Sequence, residues 1–202
     1  MTKKPDHYYT KSPKTNPKYG LIRTNLRGKP FEFITASSVF SIKRIDLGSR
    51  ILIESMILPE QGYLLDVGCG YGALGISAAV FNRKLKVFLT DINRRAVLLA
   101  RQNAEKNGAR NVETRQGHLY DSIQDLRFDC ILSNPPISAG MDIVEAIIRN
   151  APNVMNSKGT LQMVVRSKIG KKILPTLFTE TFGNFQVLSI ESGYRVLVGK
   201  KE

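Results

Sequence analysis

The run Leu64-Leu65-Asp66-Val67-Gly68-Cys69-Gly70-Tyr71-Gly72-Ala73-Leu74-Gly75 constrains this chain more than any other stretch. An apolar segment ends in a carboxylate, glycines follow at 68, 70, 72 and 75, and a helical apolar pattern resumes at Leu74 and Ile76. That order predicts strand, tight loop, helix. Glycines spaced so closely let the backbone take positive φ and let a ligand approach nearer than a Cβ would permit. The free N–H groups of the following helix then face whatever is bound.

Two cofactor classes use such a loop. Gly70-Tyr71-Gly72-Ala73-Leu74-Gly75 satisfies the dinucleotide pattern G-x-G-x-x-G, with Asp91 at the distance of a ribose-binding acid. Asp66 points the other way. A carboxylate just ahead of the loop repels a pyrophosphate and attracts an ammonium or sulfonium group. Asp66-x-Gly68-x-Gly70-x-Gly72 therefore resembles the first motif of class I S-adenosylmethionine-dependent methyltransferases.

Charge narrows the partner. The 202 residues carry 30 Lys and Arg against 17 Asp and Glu, a net +13, and suit one domain with a short appendage. Residues 1–30 hold eight cations and only Asp6, so seven of the thirteen excess charges lie there. A polyanion, RNA first, is the partner this predicts. Residues 1–18 are broken by Pro5, Pro13 and Pro17 and read as an arm with little regular structure. In it His7, Tyr8 and Tyr9 either stack on bases or pack the arm onto the domain. The start lacks an apolar leader, and no stretch is apolar enough to cross a bilayer, which points to a cytoplasmic protein. Cys69 and Cys130 have no metal-type spacing, so no metal site is expected.

Taken in order, Tyr19 to Leu26 and Phe31 to Thr35 read as a hairpin turning at Arg27-Gly28-Lys29, and residues 1–35 form arm plus hairpin ahead of a domain at 36–202. Asp46 caps a helix running to about Leu58, with Leu52, Ile53, Met56 and Ile57 on its core face. A second strand, Lys86 to Leu89, ends at Asp91, which is placed to accept from both ribose hydroxyls, with Ile92 beside it and Asn93 capping the helix to Asn107. A third strand at Val112 to Arg115 delivers Gly117 and His118 to the same edge. A fourth, Phe128 to Ser133, delivers Asn134-Pro135-Pro136-Ile137. A helix from about Asp142, a strand from Thr160 to Val165 and a hairpin around Glu191-Ser192-Gly193 complete the chain. Alternating strand and helix force an open, mostly parallel α/β sheet with helices on both faces.

Asn134-Pro135-Pro136 lies where a substrate meets a cofactor. The prolines stiffen the loop and leave carbonyls unpaired, so an Asn oxygen and a proline carbonyl can accept both hydrogens of one planar amino group. Two fixed acceptors favour the geometry in which a delocalised nitrogen lone pair becomes available.

Together these residues resemble the methyltransferase small family, which includes bacterial enzymes that methylate guanine N2 in small-subunit ribosomal RNA. The resemblance rests on His7-Tyr8-Tyr9, Val39-Phe40-Ser41, Asp46-x-Gly48-Ser49, the glycine motif, Asp91 and Asn134-Pro135-Pro136-Ile137 with Ala139-Gly140. It implies a Rossmann-like fold with a seven-stranded sheet ending in an antiparallel hairpin. It implies S-adenosylmethionine held by Asp66, Gly68, Gly70, Gly72, Asp91, Ile92, His118 and Asn134. Catalysis falls to Asn134, Pro135, Pro136 and Ile137, with Phe40 and Ser41 toward the substrate.

The chain departs from the family pattern at three places. His118 stands where an Asp or Asn accepts the adenine amino group, Ser138 where relatives often carry Arg, and Ile137 where others stack an aromatic ring. Phe40 either supplies that ring or belongs to the core. Competing readings are a protein glutamine methyltransferase, which also uses Asn-Pro-Pro, a non-catalytic RNA-binding module and a nicotinamide enzyme.

Overall fold

The computed structural model describes residues 10–13, 15–136 and 140–202. His7, Tyr8, Tyr9 and most of the arm's lysines, together with Ile137 and Ser138, lie outside the described residues. The first two strands, β1 (Tyr19–Leu26) and β2 (Lys29–Ala36), pair antiparallel as a sheet of their own. Arg27 and Gly28 between them have φ of 46° and 75°, the double positive that a two-residue turn needs to match strand twist. Every second residue of β2 is buried, and Phe31 and Phe33 stack 5.8 Å apart.

Seven further strands build the main sheet: β3 (Gly62–Val67), β4 (Leu85–Asp91), β5 (Val112–Gln116), β6 (Phe128–Ser133), β7 (Met155–Arg166), β8 (Gln186–Glu191) and β9 (Tyr194–Lys200). Their order is β5-β4-β3-β6-β7-β9-β8. β5 to β7 run parallel, and β9 pairs antiparallel with both β7 and β8. From β3 the chain goes first to β4 on one side and later to β6 on the other. A crevice therefore opens at the C-terminal end of β3, where open parallel sheets bind ligands. Three helices, α1 (Leu47–Ser55), α2 (Ala73–Phe81) and α3 (Arg94–Lys106), join the hairpin in one apolar core. The remaining two, α4 (Met141–Asn150) and α5 (Ile173–Phe182), contribute to a second. The sheet thus has helices on both faces, as alternation requires. No described helix is long and apolar enough to cross a membrane.

The hairpin is fastened by two asparagines one turn apart, Asn103 on α3 and Asn107 at its C-cap. Asn103 Oδ1 accepts from Ile34 N (2.7 Å) while its Nδ2 donates to Ile34 O and Tyr71 O (2.9 Å each). Asn107 exchanges the same pair of bonds with Glu32, at 3.0 and 2.7 Å. The open edge of β2 is thereby satisfied by side chains rather than by another strand. Asn103 also ties the hairpin to the glycine loop.

Local expectation and structure differ at three elements. The helix capped by Asp46 ends at Ser55, not near Leu58. Arg27 takes the carbonyls of Glu54 and Met56, and the Gln162 amide exchanges bonds of 2.9 and 2.6 Å with the Ile57 backbone, which stops the helix and leaves Ile57 62% exposed. Strand β7 starts at Met155 instead of Thr160, with Lys158 at φ 65° inside it. Helix α5 follows β7, a position for which sequence reasoning named no element. Its Pro175 falls in the first turn, where a missing N–H costs nothing.

Candidate functional site

A cavity of about 760 Å³ opens over the C-terminal ends of the parallel strands. Its floor is the loop from β3 into α2. Gly68 and Gly70 have φ of 72° and 56°, and no atom lies within 4 Å of where a Cβ on either would stand, so bare backbone faces the cavity. Gly72 serves the turn rather than the wall: it caps α2 at φ 95°, and a Cβ there would stand 2.6 Å from Ile76 Cδ1. Helix α2 starts without a side-chain cap, and Ala73 and Leu74 of its first turn line the cavity.

Asp91, at the end of β4, lines the wall beside Ile92. Its Oδ2 accepts from Gly70 N and its Oδ1 from Asn93 N, both at 2.8 Å. Each oxygen keeps a second lone pair, so the carboxylate can take two further donors from a ligand. Burial raises its pKa to about 6 against the pull of the two backbone N–H groups.

Asp66 sits elsewhere than a direct ligand contact would require. Its side chain is fully buried beneath the loop, off the cavity wall, with Oδ2 accepting from Gly75 N at 2.9 Å. Oδ1 has no hydrogen-bond partner. Gly75 has to lack a side chain because a Cβ would stand 2.1 Å from Leu89 Cδ2 and 3.0 Å from Asp66 Cβ. Burial is the main cause that raises the Asp66 carboxyl to about 7, the charge of Asp91 adding to it and the Gly75 N–H opposing it. A carboxyl that holds its proton more tightly folded than unfolded contributes most below the unfolded pKa, about 4, and its contribution is lost as pH rises toward 7. Asp66→Asn is therefore expected to flatten the decline in stability between pH 4 and 7. Melting temperatures of the two proteins across that range check it, and parallel declines would remove Asp66 as the cause.

On the third side, Gly117, exposed His118 and Leu119 line the cavity after β5. On the fourth, after β6, stand Asn134, Pro135 and Pro136. Asn134 is held by groups from α1: its Nδ2 donates to Asp46 Oδ2 at 3.0 Å and to Ser49 Oγ at 2.9 Å. With both amide hydrogens engaged, the group Asn134 has left to offer is Oδ1, an acceptor. Asp46 is also the N-cap of α1, accepting from Ser49 N at 3.3 Å. Sequence reasoning read Asp46 as a cap and missed the clamp.

Phe40 lines the cavity and is 38% exposed, whereas Ser41 does not reach the wall and donates its hydroxyl to Arg44 O. Tyr194 and Arg166 form a further wall, and sequence reasoning gave neither a role. The signal was Gly48, whose missing Cβ would stand 2.9 Å from Tyr194 Cε1. Cys69 also lines the cavity, but burial raises its thiol well above the ordinary value, so it stays protonated. Among the described residues no group of three or more His, Cys, Asp or Glu could hold a metal ion.

The described part of the arm runs over the start of α3. Lys11 O accepts from Arg94 N at 3.1 Å, Thr15 O from the Arg95 guanidinium, and Lys18 O from Ser37 N at 3.0 Å.

A bare glycine backbone, an uncapped helix start and a carboxylate with lone pairs to spare fit a nucleoside-bearing cofactor of this size. The methyltransferase small domain model matches residues 30–198. The chain belongs to that family. Its cofactor is S-adenosylmethionine, which removes the nicotinamide reading. The chain is 37% identical to the uncharacterised protein YbxB of Bacillus subtilis, over 97% of this chain and 98% of that one. It is 32% identical to ribosomal RNA small subunit methyltransferase C of Erwinia tasmaniensis, over 80% of this chain but 47% of that enzyme. Among solved structures, the T. thermophilus 16S rRNA N2 guanine methyltransferase RsmC, determined with AdoMet and guanosine, superposes with a TM-score of 0.80 at 26% identity. That match covers 94% of this chain and 52% of RsmC, so the chain spans about half the length of these methyltransferases.

Proposed function

We infer that the protein transfers a methyl group from S-adenosylmethionine to an exocyclic amino group of a base in RNA, with guanine N2 of ribosomal RNA as the acceptor. The observation that carries this reading is the clamped Asn134, a cavity-lining amide whose two N–H groups are both engaged, which leaves its oxygen as the group it can offer. Similarity to RsmC, which was solved with guanosine, favours guanine over adenine. The net charge of +13 favours a nucleic acid over a glutamine side chain.

The cofactor supplies an electrophilic methyl group on a sulfonium. Gly68 and Gly70 let it lie against the backbone, Asp91 accepts from its ribose hydroxyls, and Ile92 and His118 border its base. Asn134 Oδ1 and the Pro135 carbonyl accept the two hydrogens of the target amine and orient its lone pair. A base has to leave its stack to reach them, as enzymes that modify single bases require. Alignment carries much of the rate, and no strong general base is needed, because the amine becomes acidic only once methylated.

Asp91→Ala is expected to weaken cofactor binding about 100-fold, since two bonds to a charged acceptor are lost, each on the order of 1.5 kcal/mol. Calorimetry showing unchanged affinity would take Asp91 out of the site. The whole reading is tested by incubating purified protein, labelled cofactor and 16S RNA and digesting to nucleosides for mass spectrometry. Label on guanine N2 supports it, and label on a ribose, a ring carbon or a protein glutamine overturns it.

A further inference from the structure

Beyond the cavity wall the segment after β7, Arg166-Ser167-Lys168-Ile169-Gly170-Lys171-Lys172, carries four cations and no acid. Arg166, Lys168, Lys171 and Lys172 are exposed, and none has an acidic partner within ion-pair distance among the described residues. The segment is fixed to the turn between β8 and β9: Ser167 N donates to Gly193 O at 2.8 Å, and Arg195 Nη2 to Ile169 O at 3.3 Å. Arg166 and Ile169 line the cavity, so the segment leads away from its rim. The Arg166 guanidinium lies 5.9 Å over the ring of Tyr194. Tyr194 in turn packs against Gly48, at the start of α1, where Asp46 Oδ2 also lies. The segment before α1 brings two more exposed cations, Lys43 and Arg44, to that side, between Phe40 and Asp46 of the wall.

We propose that these two segments, residues 166–172 and 43–44, form the surface on which the RNA strand docks. The lysines and Arg44 hold the phosphates flanking the target nucleotide, and the Arg166–Tyr194 pair offers a face against which a base stacks at the cavity entrance. This rests on the reading of the cavity as a base-methylating site. Three features favour a nucleic acid strand over other anionic partners. The cations follow one another along a fixed loop, an aromatic ring with a guanidinium over it stands among them, and the loop leads from the mouth through which a base enters. Charge dominates the affinity of such surfaces and makes it salt-dependent, while stacking tolerates any base.

The test is a combined Lys168→Ala, Lys171→Ala, Lys172→Ala variant, with Lys43→Ala, Arg44→Ala as a second. Each is assayed for binding of a 16S RNA transcript at 50 to 300 mM salt, for cofactor affinity and for melting temperature. Roughly 0.7–0.9 of log–log salt slope goes with each lost phosphate contact, so the first variant should lose about 2–2.5 units of slope, the second about 1.5, with cofactor affinity and melting temperature unchanged. An unaltered slope and RNA affinity in both, while the parent protein methylates the transcript, overturns the surface and leaves the function standing. Loss of slope in a protein that never methylates RNA supports the surface and overturns the function. Binding to anionic vesicles that depends on the same lysines, with RNA binding indifferent to them, also overturns it.

Discussion

Asn134→Ala is expected to lower the rate of methyl transfer about 10²–10³-fold, the range found when one preorganised polar group is removed from a reacting centre. Cofactor affinity should stay near that of the parent protein, because Asp91 and the bare glycines hold the other end of the cavity. The loss should fall on kcat rather than KM. On the proposed mechanism the Asn134 oxygen matters most once the amine has turned its lone pair toward the methyl group, and an interaction gained on the way to the transition state appears in kcat. A purely structural Asn134 predicts a different pattern: Asp46 and Ser49 would lose a shared donor, α1 would loosen, and the melting temperature would fall with the rate. Single-turnover methylation beside a melting curve separates the two. An unchanged rate would mean that Asn134 does not hold the amine.

The parts of this site that lie on one strand end were legible in the sequence, because strand, turn and helix signals are local. The glycine loop, Asp91 with its neighbour Asn93, and Asn134-Pro135-Pro136 each fall at the C-terminal edge of a parallel strand, and alternation of strand and helix brings those edges together. The contacts that finish the site join residues far apart in the chain. Asp46 and Ser49 meet Asn134 across 88 and 85 positions, and Gln162 ends α1 from 105 positions away. No local pattern announces such a pair. Asp66 was legible as an important acid but not in its direction. Alternation in a strand says which face a side chain takes, while the depth of the loop above it decides whether that side chain meets the ligand or the backbone. Tyr194 and Arg166 belong to the strands β9 and β7, and they become wall residues only because β9 inserts beside β7 and Gly48 leaves room for the ring.

Because the Asn134 amide can rotate by half a turn at little cost in shape, the direction of its oxygen has to be imposed, and Asp46 with Ser49 imposes it. Both accept from Nδ2, one as a carboxylate and one as a hydroxyl, so a flipped amide would set Oδ1 against the Asp46 carboxylate. Removing both acceptors in an Asp46→Ala, Ser49→Ala protein lets the amide turn its N–H groups toward the target amine, where donors face donors. The rate is expected to fall about 10²-fold, approaching the loss in Asn134→Ala because the same oxygen is no longer presented. Part of any change in stability belongs to the cap, since a lost Asp N-cap costs about 1 kcal/mol. Asp46→Asn separates the roles. An asparagine caps a helix as well as an aspartate does and still offers Nδ2 of Asn134 an oxygen, so it should recover most of the rate. Combining the pair with Asn134→Ala should add little further loss, because the clamp acts only through that side chain. A full additional 10²-fold would show that Asp46 touches the substrate itself, and an active double variant would show that the loop alone orients Asn134.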